Sequence, residues 1–194
     1  MTSIDGGITG DGILNIEEGA TLNMNYASIE QGTINLDGTL MASLLNANDT
    51  LDVSGDLAGD GRITLNVGAA GVYDLSAFKG YVDPASFGKT FDVSVEDGIA
   101  TVTAKNAQAV AAATGMSMGG AGAISTLAVS TDTKLQQVSL KAQEVLNSGN
   151  TALVEKEMAK LNPDSKPVAH SVASSVMVWQ TIFITWGRLQ LHQV

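Results

Sequence analysis

Through the first hundred positions of the chain, apolar and polar residues alternate at period two. Leu14-Asn15-Ile16, Ile34-Asn35-Leu36, Leu51-Asp52-Val53 and Ile63-Thr64-Leu65-Asn66-Val67 each place one row of side chains on a buried face and the other in water, the pattern of short β-strands. Between them stand Gly10-Asp11-Gly12, Asp37-Gly38, Gly59-Asp60-Gly61 and Asp97-Gly98, residues that accept positive φ and so serve turns. Phe91 to Glu96 and Ile99 to Ala104 flank the last of these, and a two-residue Asp-Gly loop suits a type I′ hairpin. That hairpin pairs Val95 with Ala100, Val93 with Val102 and Phe91 with Ala104 on one face, and Ser94 with Thr101 and Asp92 with Thr103 on the other.

The strands carry a weak internal repeat. Gly12-x-Leu14-Asn15-Ile16 recurs twenty residues on as Gly32-x-Ile34-Asn35-Leu36, and a longer copy relates Ile8–Ile16 to Leu57–Leu65, with Gly19 landing on Gly68. Steps of this length with strand-and-turn content predict a parallel β-helix or similar solenoid. A β-sandwich whose turns all use Gly, Asp and Asn is the other reading of the same pattern.

After Lys105 the period changes. Ala107–Thr114 is Ala-rich and helix-compatible, and Gly115-Met116-Ser117-Met118-Gly119-Gly120-Ala121-Gly122 then reads as a break and a flexible linker. Leu135, Val138, Ala142, Val145 and Leu146 form one stripe of a helix that Thr131 or Asp132 caps and Gly149 ends. Thr151–Leu161 predicts a second helix, stopped before Pro163, and Pro167 opens a further one. The expected organisation is an acidic β-solenoid-like domain over 1–105, an Ala/Gly-rich connector over 106–130 and a helical segment over 131–194. The fold class expected is a mainly β N-terminal half, a solenoid fragment ending in the Asp97-Gly98 hairpin, followed by an α-helical C-terminal half.

Charge sharpens that division. Residues 1–105 hold four basic side chains (Arg62, Lys79, Lys89, Lys105) against fifteen acidic ones, whereas 106–194 hold six against five. A net charge of −10 argues against a nucleic-acid binder, which needs Lys and Arg in excess. The absence of cysteine removes disulfide scaffolds and thiolate metal sites. The 194 residues, 44% of them hydrophobic, are enough for a buried core.

Candidate chemistry does not assemble. The glycine run at 119–122 lacks the spacing and the Lys of a phosphate loop. The acidic turns around Asn48, Asp49, Asp52, Asp56 and Asp60 match neither the EF-hand nor the repeat of calcium-binding β-rolls, so they read as solvated strand ends. Acids are spread over nearly every turn rather than paired, and aromatic residues are only 5%, which argues against glycoside cleavage. Both histidines, His170 and His192, fall in the last twenty-five residues, away from any strand-borne triad. The expectation is therefore a non-enzyme, with no catalytic, cofactor-binding or metal-ligating residue assigned and no cofactor. Pro167 to Gly187 is uncharged over twenty-one residues but includes Ser171, Ser174, Ser175, Gln180, Thr181 and Thr185. It therefore reads as a buried or partner-covered helix rather than a membrane span. Val176 to Ile184, if exposed, is an association surface.

Acidic repetitive strands, an Ala-rich connector, helices and then Leu161-Asn162-Pro163-Asp164-Ser165-Lys166-Pro167-Val168-Ala169-His170-Ser171-Val172-Ala173 together resemble the C-terminal part of a bacterial autotransporter (type V secretion) passenger, at the junction that precedes its outer-membrane β-barrel. The resemblance covers the chain loosely and is carried by residues 158–176, where the form L-N-P-x-x-x-P-V precedes small residues. It implies a β-solenoid passenger at the bacterial cell surface, with an adhesion, structural or interaction role, an unknown protein or glycan partner, and a membrane reached only through a barrel. Met1-Thr2-Ser3-Ile4-Asp5 opens directly in strand-like sequence, no barrel strands follow Val194, and the character changes after Met177, where Trp179 and Trp186 lie. The expectation drawn from these features is a fragment of a longer autotransporter, ended by a frameshift or early stop, that self-associates through its open solenoid end and Val176–Ile184. A stand-alone α+β binding module, with a β-sandwich and a helical hairpin, is the alternative.

Overall fold

The computed structural model describes residues 2–3, 6–25 and 27–160. In chain order the strands are β1 (Thr2–Ser3), β2 (Ile8–Thr9), β3 (Ile13–Ile16), β4 (Thr21–Asn25), β5 (Ile29–Leu36), β6 (Thr39–Leu44), β7 (Val53–Ala58), β8 (Arg62–Val67), β9 (Gly71–Asp74), β10 (Phe91–Glu96) and β11 (Ile99–Ala104). The helices α1 (Ala107–Thr114), α2 (Met118–Leu127), α3 (Thr133–Asn147) and α4 (Thr151–Ala159) follow.

Strands β1, β4, β6 and β8 pair in that order as one parallel sheet. Strands β2, β3 and β7 pair parallel with β5 as another. The chain passes back and forth between these two sheets, so consecutive strands belong to different sheets from β3 to β8. Their inward rows meet in one core, in which Ile34, Leu36, Leu40, Ile63 and Val67 are fully buried. Each such side chain contributes about 1.5–3 kcal/mol by leaving water. The twenty-residue step of the sequence is a pairing register here: Leu14 faces Ile34, Asn15 faces Asn35 and Ile16 faces Leu36. Asn35 Nδ2 donates to Asn15 Oδ1 at 2.7 Å across that pair. The longer copy has no such meaning, because Ile63 lies in the other sheet and pairs with Leu40.

Beyond β8 the parallel arrangement stops. A bridge from Ile63 to Val82 and the 3-10 turn Pro84–Phe87 cover the last edge of the first sheet, with Ser86 Oγ accepting from Leu65 N at 3.0 Å. The remaining strands form an antiparallel sheet in the order β10-β11-β9. The Asp97-Gly98 hairpin has the register Phe91–Ala104, Val93–Val102, Val95–Ala100, with Asp97 at φ 51° and Gly98 at φ 83°. Phe91, Ala100 and Val102 face the core, and Asp92, Ser94, Thr101 and Thr103 are exposed.

The expected fold class is corrected by this arrangement. In place of a mainly β solenoid fragment followed by a separate helical half, the strands fall into three small sheets, two parallel and one antiparallel. The four helices pack against the strands through α3, so the class is mixed. The physical reason lies at two places. The parallel step runs only from β1 to β8 before Gly68 turns the chain away, and α3 seats on the outward side chains of β6 and β8. The glycine run expected as a linker lies in α2. There Ser117 caps the helix by accepting from Gly120 N at 3.2 Å, and Glu155 of α4 holds Ser117 through its backbone N (3.0 Å) and its hydroxyl. Asp132 caps α3, accepting from Lys134 N and Leu135 N. The helices share their own core of Val110, Ile124, Val138, Ala142, Leu146, Val154 and Met158.

Candidate functional site

The turns that connect the second parallel sheet to the first stack on one another. These are residues 17–20, 37–38 and 59–61. Gly38 N and Asp37 N both donate to Ile16 O (2.8 and 2.9 Å), Gly61 N donates to Leu36 O at 2.7 Å, and Arg62 N donates to Gly38 O at 3.0 Å. So close an approach requires glycine. A Cβ on Gly38 would stand against Glu17 O and 2.5 Å from Ala20 O, and one on Gly61 would meet Gly38 O and lie 2.6 Å from Leu36 O.

The stack brings Glu17, Glu18, Asp37, Asp60 and Asp83 to the wall of one open groove of about 900 Å³, together with Thr39, Thr64 and a single cation, Arg62. Arg62 pairs with Asp83 at 3.6 Å, which leaves a strongly negative surface. Such a surface attracts and steers cationic partners by its summed field. Its carboxylates are spread along the stack, and among the described residues no three Asp, Glu or His side chains are grouped to hold a metal ion.

The acids named in the sequence do not share one site. Asp60 lies in the acidic groove and Asp56 is exposed on β7. Asp49 closes its own turn, accepting from Leu45 N at 2.6 Å and Asn46 N at 3.2 Å. With Asn48 and Asp52 it lines a second open groove, about 510 Å³, whose apolar wall is Met24, Leu44 and Leu51. His170, His192 and the apolar stretch Val176–Ile184 lie outside the described residues.

Among the described residues two groups titrate away from their ordinary range, and neither lines either of these two grooves. Burial pushes the Tyr73 phenol up and the Asp49 charge adds to the rise; the phenol donates to Ala69 O at 2.6 Å. Hydrogen bonds from Ser76 Oγ and Ser76 N hold the Asp74 carboxyl below the usual carboxylate range.

Sequence reasoning missed the stacking of the turns. Its trace in the sequence is the recurrence of an acid beside glycine at Glu18-Gly19, Asp37-Gly38 and Asp60-Gly61. Among the described residues no helix is long and apolar enough to cross a membrane, which says nothing of a β-barrel. No protein-family model, curated protein or solved structure matches this chain.

Proposed function

We propose that the chain is a non-catalytic interaction segment of a bacterial autotransporter passenger, presented at the cell surface to a protein or glycan partner. The observation that carries the interaction role is the set of outward rows on the second parallel sheet. Thr9, Glu30 and Ser54 stand side by side, as do Ile13, Thr33 and Asp56, and Asn15 beside Asn35. A sheet face ruled in this way, beside the acidic stack of turns, offers polar groups at the strand spacing of about 4.8 Å. The autotransporter part rests on the resemblance at residues 158–176, of which 158–160 are described. The test is to read the coding sequence on both sides of this chain in all frames. A signal peptide upstream and alternating barrel strands downstream support the reading, and their absence in every frame overturns it.

A second reading, the stand-alone α+β binding module, is favoured by two contacts. α3 meets the strands through Gln143 Nε2 to Val67 O and Asn147 Nδ2 to Asn66 Oδ1 (3.0 Å), contacts that a stand-alone module of strands and helices would make. Limited proteolysis separates the two readings. A packed module resists cutting across Gly115–Gly122, whereas cutting there that leaves a resistant core of residues 1 to about 105 removes this second reading.

A further inference from the structure

The helices meet the strands on a face that the alternation of side chains turns toward water. In β6 and β8 the inward rows Leu40, Ala42, Leu44 and Ile63, Leu65, Val67 belong to the strand-side core, so Ser43 and Asn66 point away from it. α3 sits on these two residues with its polar side: Glu144 Oε1 accepts from Ser43 Oγ at 3.4 Å and Asn147 Nδ2 donates to Asn66 Oδ1 at 3.0 Å. Gln136 Oε1 accepts from Asn46 Nδ2 at 3.2 Å, Lys89 Nζ donates to Leu146 O at 3.1 Å, and Gln143 Nε2 donates to Val67 O. The opposite side of α3 belongs to the separate helical core.

Two apolar cores thus abut across a seam made mostly of hydrogen bonds. Its buried apolar side chains are few. Ala128 joins the strand-side core, and Leu140 belongs to neither core. Gln143 Oε1 is buried in the seam with no partner among the described residues. A buried polar network left partly unsatisfied is weak, and units joined by a polar interface move relative to one another by default. The strands and helices are linked covalently at one place, Lys105–Asn106, where β11 has ended and Asn106 caps α1.

We propose that residues 107–159 form a cap hinged at Lys105–Asn106, which swings off the outer face of β6 and β8 as a body, with the helical core intact and the strand-side core giving up only Ala128. Opening uncovers Ser43, Asn66 and the backbone at Gly68, on which a Cβ would lie 2.7 Å from Gln136 O. The chain has no cysteine, so single thiols report the motion cleanly. Ser43→Cys places one in the seam, Ala42→Cys in the strand-side core and Ala121→Cys in the helical core.

With an excess of a thiol reagent under native conditions, position 43 reacts roughly tenfold or more faster than positions 42 and 121. Adding Asn147→Ala speeds position 43 about fivefold, as expected of one lost hydrogen bond, and leaves the other two unchanged. Equal rates at all three positions, fast reaction at both 43 and 121, or no response of position 43 to Asn147→Ala overturns the proposal. If a core position does not accept a thiol, trypsin on the unmodified chain reads the same motion. Cutting after Lys105 ahead of Lys141 and Lys156 supports the hinge, and the reverse order overturns it.

Discussion

At Gly38 the backbone of one turn lies against the carbonyls of Glu17 and Ala20, and no methyl group fits between them. Gly38→Ala is expected to cost about 3 kcal/mol, the upper range for single substitutions, measured as a drop in the urea midpoint. Gly122 has the opposite prospect. The nearest atom to a Cβ there is that of Ala107 at 3.9 Å, so Gly122→Ala meets ordinary contact and gains helix propensity, a stabilisation of about 0.5–1 kcal/mol in the same assay. Tyr73 gives a pH effect whose sign follows from its raised pKa. The protonated phenol is favoured by folding, so its contribution is intact below the unfolded pKa of about 10 and is lost as pH climbs from there toward the folded value. Tyr73→Phe removes this alkaline slope from a stability–pH curve and loses the bond to Ala69, about 1 kcal/mol. At this scale the sequence was legible where the cause is local. Asp-Gly marks a turn through its own φ preferences, but nothing local tells that a turn will be stacked on another.

Among the elements, the β10–β11 hairpin and the capping of α3 follow from neighbouring residues: a two-residue Asp-Gly loop sets one register, and Asp132 meets the free N–H groups of its own helix. β7 did not follow in the same way. The alternation Leu51-Asp52-Val53 predicts a strand there, yet the strand runs Val53–Ala58 through Gly55 at φ 136°, with a register shift against β5. Pairing with β5 decides that strand, and its own pattern is poor. α2 was hidden for a related reason. Three glycines cost about 1 kcal/mol each in helix propensity, and tertiary contacts offset this. Glu155 holds the Ser117 cap, and Gly120 leaves it room, since a Cβ there would lie 2.7 Å from Glu155 Oε2. Glu155→Ala is expected to loosen α2 and α4 together by about 1–2 kcal/mol, read as faster amide exchange in both helices and not in α3.

For the whole molecule, composition and charge asymmetry do not disclose how strands and helices meet. A helix seated on an outward sheet face leaves no apolar pattern in the strands, because Ser43 and Asn66 look the same in sequence whether they face water or α3. The acidic stack of turns belongs to this scale as well. Adding salt screens its field over a Debye length of about 8–10 Å, so any cationic partner captured there should dissociate steeply between low and physiological ionic strength. Isothermal titration with a lysine-rich peptide checks this, and binding independent of salt would assign the contact elsewhere.

The two corners at which the chain changes sheets differ in a way that bears on how much foreign sequence each could carry. At the glycine corner the connections are two to four residues long and bonded to each other, while at the opposite corner the link between β6 and β7, residues 45–52, is longer. The steps of eighteen and twenty-three residues between Thr21, Thr39 and Arg62 differ because the additional residues are taken up in that loop. Lengthening a flexible loop costs only about 0.6 kcal/mol per doubling. A peptide tag spliced in beside Asn48 is thus accommodated with the strands unshifted, whereas one extra residue between Asp37 and Gly38 turns the side chains of β6 to the wrong face. The fold has a cargo side and a side that admits no insertion.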